Sequence, residues 1–481
     1  MTTTTTMRRT DLFIGGEWVD TADARIEVID PSDGTVLDTV ADGGIEDAIH
    51  AVDAAADALQ AWSATPPRER AEILRRSYEL MAERADTLAE LISSENGKAL
   101  ADARAEVSYA AEFFRWYSEE AVRNIGSISL APSGRNRIMV EHRPIGVCVL
   151  ITPWNFPAAM ATRKIAPALA AGCSVVLKPA TLTPLTAYAI ADILAEAGVP
   201  AGVVNVITTR NTGPVVSAML QDPRVRLLSF TGSTEVGRVL LQQASGQVLK
   251  CAMELGGNAP LIVLEDADLE VALDGAMLAK MRNGGQACTA ANRILVHRSR
   301  HDDFVAGLAS RMSALTVGSG VDPATECGPL VDAKSVDKVH ELVQEAIGRG
   351  ATLVTGGELP GGPGFFYPPT VLTNVDPESD IVATEIFGPV AAITTFDNDD
   401  EAVRAANSSE YGLSAYVFGR DLSRALAVAG RLETGMVAVN RGLVSDPAAP
   451  FGGVKQSGLG REGAHEGMLE YTETQYTAVD W

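Results

Sequence analysis

Between Gly146 and Gly257 the chain alternates short, uninterrupted apolar runs with longer stretches in which apolar positions recur at helical spacing. The runs GVCVLITPWNFP, CSVVLKPA, VVNVITT, VRLLSFTGS and KCAMELGG read as five strands, and the intervals ending at Ala171, Gly198 and Ser245, with a shorter one between, read as helices. Strands apolar on both faces and separated by helices form a parallel, doubly wound sheet. Open sheets of that kind bind nucleotides at the carboxyl ends of their strands. After Arg293 the alternation resumes with RILVH, FFYPPTVL, PVAAITTF and LSAYVFG, and with helices expected over His301 to Leu315, Lys334 to Arg349, Asp399 to Ser408 and Leu422 to Leu432. This predicts a second α/β domain. No repeat or low-complexity linker separates the two, so the boundary is placed near Glu254.

Upstream, Leu12 to Val19 reads as a hairpin turning at Gly15-Gly16, and Ile26 to Val40 as extended chain with turns at Pro31 and Asp33-Gly34. Helices are expected over Ile45 to Trp62, Pro67 to Glu95 and Lys98 to Ile125, punctuated by Pro66-Pro67 and Asn96-Gly97. Ser127 to Val140 alternates as a hairpin around Pro132-Ser133-Gly134. An isolated two-stranded ribbon is marginal in water, so either it projects and is buried by another subunit or it is an ordinary surface hairpin. The final MLEYTETQYTAVDW also alternates and can extend a sheet with that hairpin. The threonine-rich start, residues 1–11, reads as a disordered tail.

A chain of 481 residues exceeds one core. Its formal charge of -23, from 62 acidic and 39 basic residues, repels phosphate backbones and anionic membrane surfaces, so neither nucleic acid nor membrane is an expected partner. Cys148, Cys173, Cys251, Cys288 and Cys327 lack metal or disulfide spacing, which predicts a reducing, cytoplasmic location and no metal. No apolar segment serves as a signal or a membrane span.

The stretch Met253 to Arg293 holds the candidate chemistry. Cys288, in Gly-Gly-Gln-Ala-Cys-Thr-Ala, has small neighbours that leave its sulfur approachable, as a thiolate nucleophile requires. Glu254, at the end of an apolar run, is placed where partial burial lifts a carboxyl toward the range of a general base. The plain alternatives are a buried apolar cysteine and a glutamate that caps a helix or faces water. Gly232-Ser233-Thr234-Glu235-Val236-Gly237 opens a helix whose N–H groups can face a pyrophosphate, or is a routine N-cap.

PWNFP at 153–157, KPA at 178–180, FTGSTEVG at 230–237, MELGGN at 253–258, GQAC at 285–288 and EIFGP at 385–389 together resemble the NAD(P)-dependent aldehyde dehydrogenase superfamily, in its order and spacing, from about Leu12 to Tyr471. The resemblance implies a Rossmann-like cofactor domain (12–126 and 143–253), an α/β catalytic domain (254–444), a small β oligomerisation arm (127–142 and 465–481) and a return segment (445–464) lining the active site. It implies Cys288 as nucleophile, the Asn155 amide with the Cys288 N–H as oxyanion donors, and Glu254 as the base that activates water against a thioester. It further implies cofactor contacts from Thr152, Pro153, Trp154, Lys178, Thr181, Gly232, Ser233, Gly237, Leu255, Glu385 and Phe387. At position 181 NAD-specific relatives often carry a glutamate that would repel a 2'-phosphate, whereas Thr181 beside Lys178 can accept one; NADP is the expected cofactor, with NAD possible.

Longer runs, among them FRWYSEEAVRNIG, MRNGGQACTAANR and GLVSDPAAPFGGVKQSGLGREG, are similar to succinate-semialdehyde dehydrogenases. That likeness implies Arg163, Arg282 and Ser445 as the grip on the far carboxylate of the substrate, although either arginine can equally be a structural partner of a nearby acid. The expected product is succinate. The alternatives are another short aldehyde such as glutarate semialdehyde, or a non-catalytic relative, and a homotetramer or dimer is expected. Three departures stand out: Cys288-Thr289-Ala290 has no second cysteine for a redox switch, Thr208-Thr209-Arg210-Asn211 lacks a glycine usual near the adenine pocket, and Asp446 adds a negative charge beside Ser445.

Overall fold

The protein was analysed as a computed structural model that describes residues 9–21 and 24–480. Residues 1–8 of the expected tail lie outside the described residues. Arg9 to Asp11 do not belong to a tail: the Arg9 guanidinium lies 5.0 Å from the Trp18 ring centroid, and Thr10 O accepts from Ala41 N at 2.8 Å.

All five apolar runs form strands of one sheet. Its order is Glu17–Val19, Leu12–Ile14, Val204–Val206, Ser174–Lys178, Val147–Ile151, Val225–Thr231, Lys250–Glu254 and Gly458–Leu459. The five central strands are parallel and the flanking ones antiparallel. Alternation along Val147–Ile151 explains why the runs are wholly apolar: Cys148 and Leu150 enter one core, while Val147, Val149 and Ile151 enter the core on the opposite face. The chain moves outward from Val147–Ile151 through Ser174–Lys178 to Val204–Val206, then returns to place Val225–Thr231 on the other side. The carboxyl ends of Val147–Ile151 and Val225–Thr231 therefore flank a topological switch point, where such sheets open a crevice.

Four residues, Leu255 to Asn258, carry the chain into a second sheet. Its order is Thr352–Thr355, Thr370–Thr373, Val390–Phe396, Ala291–His297, Ala259–Val263, Ser414–Phe418 and Met436–Val439, parallel except for the first strand. Here too both faces are buried, with Leu261 and Val263 on one side and Ile262 and Leu264 on the other. A third sheet joins Ser127–Leu130, Arg137–Pro144 and the C-terminal Thr472–Val479, so the expected partnership between the hairpin and the chain end is present. It leaves Ile128, Leu130 and Tyr476 exposed.

Three elements differ from expectation. The single helix expected from Pro67 to Glu95 is broken at Arg84 into Pro67–Glu83 and Ala85–Asn96, and Glu83-Arg84-Ala85 contains neither glycine nor proline to announce it. The next helix starts at Leu100 and ends at Glu120. The expected strand FFYPPTVL is reduced to Thr370–Thr373, because Pro368 and Pro369 cannot donate to a ladder.

Candidate active site

At the switch point a cavity of about 230 Å³ is lined by Pro153, Trp154, Asn155, Gly232, Ser233, Leu255, Cys288, Glu385 and Phe387, all of which the sequence singles out. Met160, Thr231, Gly256, Ser335, Lys338 and Ile386 complete the wall without having been foreseen. Thr152, Lys178, Thr181, Gly237, Arg163, Arg282 and Ser445 lie outside this lining.

The nucleophile turn is held by backbone against backbone. Asn283, Gly284 and Gly285 have φ of 54°, 58° and 78°, the left-handed region. A Cβ on Gly285 would stand 2.2 Å from Gly388 O, and one on Gly257 would stand 2.3 Å from Cys288 O. Gly285 is therefore required by both close approach and conformation, Gly257 by close approach and Gly284 by conformation. Cys288 keeps partial solvent contact, yet burial pushes its thiol up to about 12, with Arg163 pulling the other way.

Glu254 ends its strand opposite Thr231, buried, and neither carboxyl oxygen has a hydrogen-bond partner among the described residues. Burial, reinforced by the nearby Glu462 carboxylate, holds its pKa well above the ordinary carboxylate range, against the pull of Arg163 and Lys164. Such a group is a proton carrier in wait of a hydrogen-bond partner. Asn155 is buried and donates from Nδ2 to Gln286 O at 3.0 Å, two residues before Cys288, while its Oδ1 has no partner.

Arg163 forms a buried ion pair with Glu462, and Lys164 Nζ reaches the other oxygen of that carboxylate at 2.6 Å and Ser229 Oγ at 2.8 Å. Burial opposes the charge on Arg163, but Glu462, together with Tyr109, Glu254 and Cys288, outweighs it and raises the pKa. Sequence reasoning found neither Glu462 nor Lys164. The Arg163 guanidinium also covers the Phe451 ring at 4.3 Å. This arginine already holds an acid, so a substrate carboxylate gripped by it would share the guanidinium with Glu462. Arg282 is different, for it lies 4.9 Å from the Phe156 ring centroid and, among the described residues, no carboxylate comes within ion-pair distance. Ser445 is half-buried outside the cavity. Asp446 is exposed, and its Oδ1 accepts from Ala448 N at 2.9 Å, so it caps its own turn.

On the cofactor side, Ser233 caps the helix Thr234–Ala244, Oγ accepting from Val236 N at 3.4 Å. Two glycines here have tasks other than the expected one. Gly232 N donates to Glu254 O at 3.0 Å and so is not free for a phosphate, and a Cβ on Gly237 would stand 2.5 Å from Leu255 Cδ2. What remains is the first turn of an eleven-residue helix, with Val236 N already taken by Ser233, where the helix dipole favours an anion. Lys178 ends the strand Ser174–Lys178, and burial lowers its ammonium to about 8. Trp154 and Phe387 meet edge to face at 5.4 Å, Phe387 having φ of 58°. Glu385 Oε1 accepts from Gly257 N at 3.2 Å, and burial lifts its pKa to about 7. A buried cation and an open helix N-terminus, beside a cleft ending at Cys288, fit a dinucleotide.

Comparison with known proteins bears on this arrangement directly. Residues 18–477 match the family model described as Aldehyde dehydrogenase family. The chain is 54% identical over 444 residues to a succinate-semialdehyde dehydrogenase of Paenarthrobacter nicotinovorans, covering 92% of this chain and 99% of the relative. It is 45% identical over 472 residues to a glutarate-semialdehyde dehydrogenase of Pseudomonas putida, covering 98% of each. The crystal structure of an NADP-dependent enzyme of E. coli superposes with a TM-score of 0.97 at 45% identity, covering 98% of each chain. With a cysteine-centred cleft at the switch point of a doubly wound sheet and a family match over nearly its whole length, this chain belongs to the aldehyde dehydrogenase family.

Proposed function

We propose that the protein oxidises succinate semialdehyde to succinate with NADP as the preferred acceptor. The observation that carries the substrate assignment is Arg282, a cation stacked on the ring next to Asn155 with no carboxylate at ion-pair distance among the described residues. An arginine left uncommitted in a protein of charge -23 is suited to a carboxylate at the far end of the substrate. The similarity to a succinate-semialdehyde dehydrogenase supports this reading. A glutarate-semialdehyde dehydrogenase among the relatives supports the longer homologue as a second substrate.

In this mechanism Cys288 attacks the aldehyde carbon, and the Asn155 amide with the Cys288 N–H receives the oxyanion of the thiohemiacetal. A preorganised donor of this kind contributes ~3 kcal/mol. The nicotinamide, when bound, accepts the hydride. Trp154, Ser233 and the first turn of Thr234–Ala244 would hold the pyrophosphate, Lys178 and Thr181 the adenosine end, and Glu385 and Phe387 the nicotinamide ribose and ring. Glu254 then takes a proton from the water that hydrolyses the Cys288 thioester. For Cys288 to act at neutral pH its thiol must ionise, and the cation of Arg163, with that of Arg282 adding less, favours the thiolate.

The eight-stranded sheet serves as the cofactor domain, the seven-stranded sheet as the catalytic domain, and the three-stranded sheet as an arm that a second copy covers at Ile128, Leu130 and Tyr476. No helix of the described residues is long and apolar enough to cross a membrane, and five unpaired cysteines suit a reducing cytoplasm. A steady-state comparison of succinate semialdehyde, glutarate semialdehyde and butanal, each with NAD and NADP, tests the assignment; equal kcat/KM for butanal and succinate semialdehyde overturns it.

A further inference from the structure

The stretch Glu95-Asn96-Gly97-Lys98 reads in the sequence as punctuation between two helices. In the fold it is buried against the segment that carries Asn155. Asn96 Nδ2 donates to Trp154 O at 3.0 Å. Lys98 Nζ donates to Asn155 O at 2.7 Å and to Glu106 Oε2 at 2.5 Å, and lies 4.0 Å from the Phe156 ring centroid. The other Glu106 oxygen accepts from Ala158 N and Ala159 N at 2.8 and 3.2 Å, in the first turn of Pro157–Ala171. Asp102 Oδ2 accepts from Asn283 N at 2.8 Å, and Asn283 Nδ2 returns to Asn155 O at 2.8 Å. One short stretch thus holds both the loop of the oxyanion donor and the turn that leads to the nucleophile.

Both ionic side chains of the Lys98–Glu106 pair are fully withdrawn from water. Burying such a pair is costly, and replacing it by apolar groups is often neutral or stabilising. Stability alone is a poor reason for it. What the pair and Asn96 do hold are two consecutive carbonyls, Trp154 O and Asn155 O, in a loop past the end of the strand Val147–Ile151, where no ladder fixes the backbone. A donor aimed at a developing oxyanion needs a fixed backbone beneath it.

We propose that Lys98 and Asn96 are positioning residues for aldehyde oxidation, clamping the backbone of Trp154 and Asn155 so that the Asn155 amide faces the nucleophile before the aldehyde arrives. The inference rests on the reading of Asn155 as oxyanion donor, and a double-mutant cycle separates the two. The rate of the pre-steady-state burst of reduced cofactor is measured for Lys98→Met/Glu106→Gln, for Asn155→Ala and for the combination; glutamine at 106 keeps an acceptor for the helix N–H groups. Asn155→Ala should slow the burst by ~100- to 1,000-fold. The Lys98→Met/Glu106→Gln protein should slow it by roughly 10- to 100-fold with aldehyde KM within about twofold, the mark of an interaction made in the transition state. Combined, the changes should be no slower than Asn155→Ala by more than about threefold, because a clamp without its donor has nothing to position. Multiplying effects would overturn the clamp and leave Asn155 in its role. An unslowed burst in Asn155→Ala would overturn the oxyanion reading and the clamp with it. Asn96→Leu removes one neutral donor and runs the same cycle if the charge-pair variant does not fold; a burst at the wild-type rate in that variant, folded, counts against the clamp.

Discussion

Arg163 and Glu462 meet as a buried ion pair, whereas Arg282, the other arginine expected to grip the substrate, stacks on Phe156 with no carboxylate at ion-pair distance among the described residues. The two should respond differently to the same substitution. Arg282→Met should lower kcat/KM for succinate semialdehyde while leaving butanal nearly unchanged, because the lost contact is at the far end of the substrate. A hydrogen bond to a charged group contributes ~1.5–3 kcal/mol, a factor of about ten to more than one hundred. Arg163→Met instead leaves Glu462 with Lys164 alone. Breaking a buried pair costs up to about 3–5 kcal/mol, so both substrates should suffer and Tm should fall. Selective loss of the semialdehyde in Arg163→Met, at unchanged Tm, would mean that this pair opens to admit substrate.

In the proposed mechanism Cys288 and Glu254 divide the reaction. Cys288→Ala should abolish oxidation. Glu254→Gln should still acylate, giving a burst of reduced cofactor close to one equivalent, but should fail to turn over, since a glutamine cannot take the proton of the attacking water. Steady-state activity near wild type in either variant would assign the roles elsewhere.

What could be seen in advance follows the range of the interaction. The five central strands were legible because each is apolar on both faces and no distant partner is needed to read it. Cys288, Asn155, Ser233 and Glu385 stood out through short motifs whose glycines mark close approach, at Gly257 and Gly285 for instance. Glu462 was not legible: it meets Lys164 from 298 positions away, and nothing near either residue announces the other. Asn96 and Lys98 were hidden for the same reason, their acceptors being backbone carbonyls of a loop more than fifty residues on. The break at Arg84 escaped notice because Glu83-Arg84-Ala85 contains neither glycine nor proline to mark it.

The proposed cofactor preference turns on Thr181. A hydroxyl there, close in sequence to the buried ammonium of Lys178, admits a 2'-phosphate, whereas a carboxylate would repel it and bind the ribose hydroxyls instead. NADP should therefore show the higher kcat/KM, and Thr181→Glu should erase or reverse the preference. The comparison is made at one ionic strength, since salt screens the exposed part of such contacts. A wild-type enzyme that strongly favours NAD would refute this reading of Thr181.

Lys280, eight residues before Cys288, is fully buried, and among the described residues its ammonium has no hydrogen-bond partner. Burial lowers its pKa to about 7, with Glu385 opposing. The sign of the linkage follows from the ordinary lysine value of 10.5. Above that value the group is neutral in both folded and unfolded chains and costs nothing electrostatic. As pH falls toward 7 the unfolded chain takes up a proton that the folded protein does not, and stability declines across this window. Lys280→Met keeps the stem, removes the unpartnered amine and abolishes the linkage. Its Tm should exceed that of the wild type, with a gain that grows from pH 10 to pH 7 and levels off below. Thermal unfolding at pH 9.5, 8.5, 7.5 and 6.5 reads the trend directly. A gain that is flat with pH would place the proton elsewhere, and a loss at every pH would mean that the ammonium finds a partner in the folded protein.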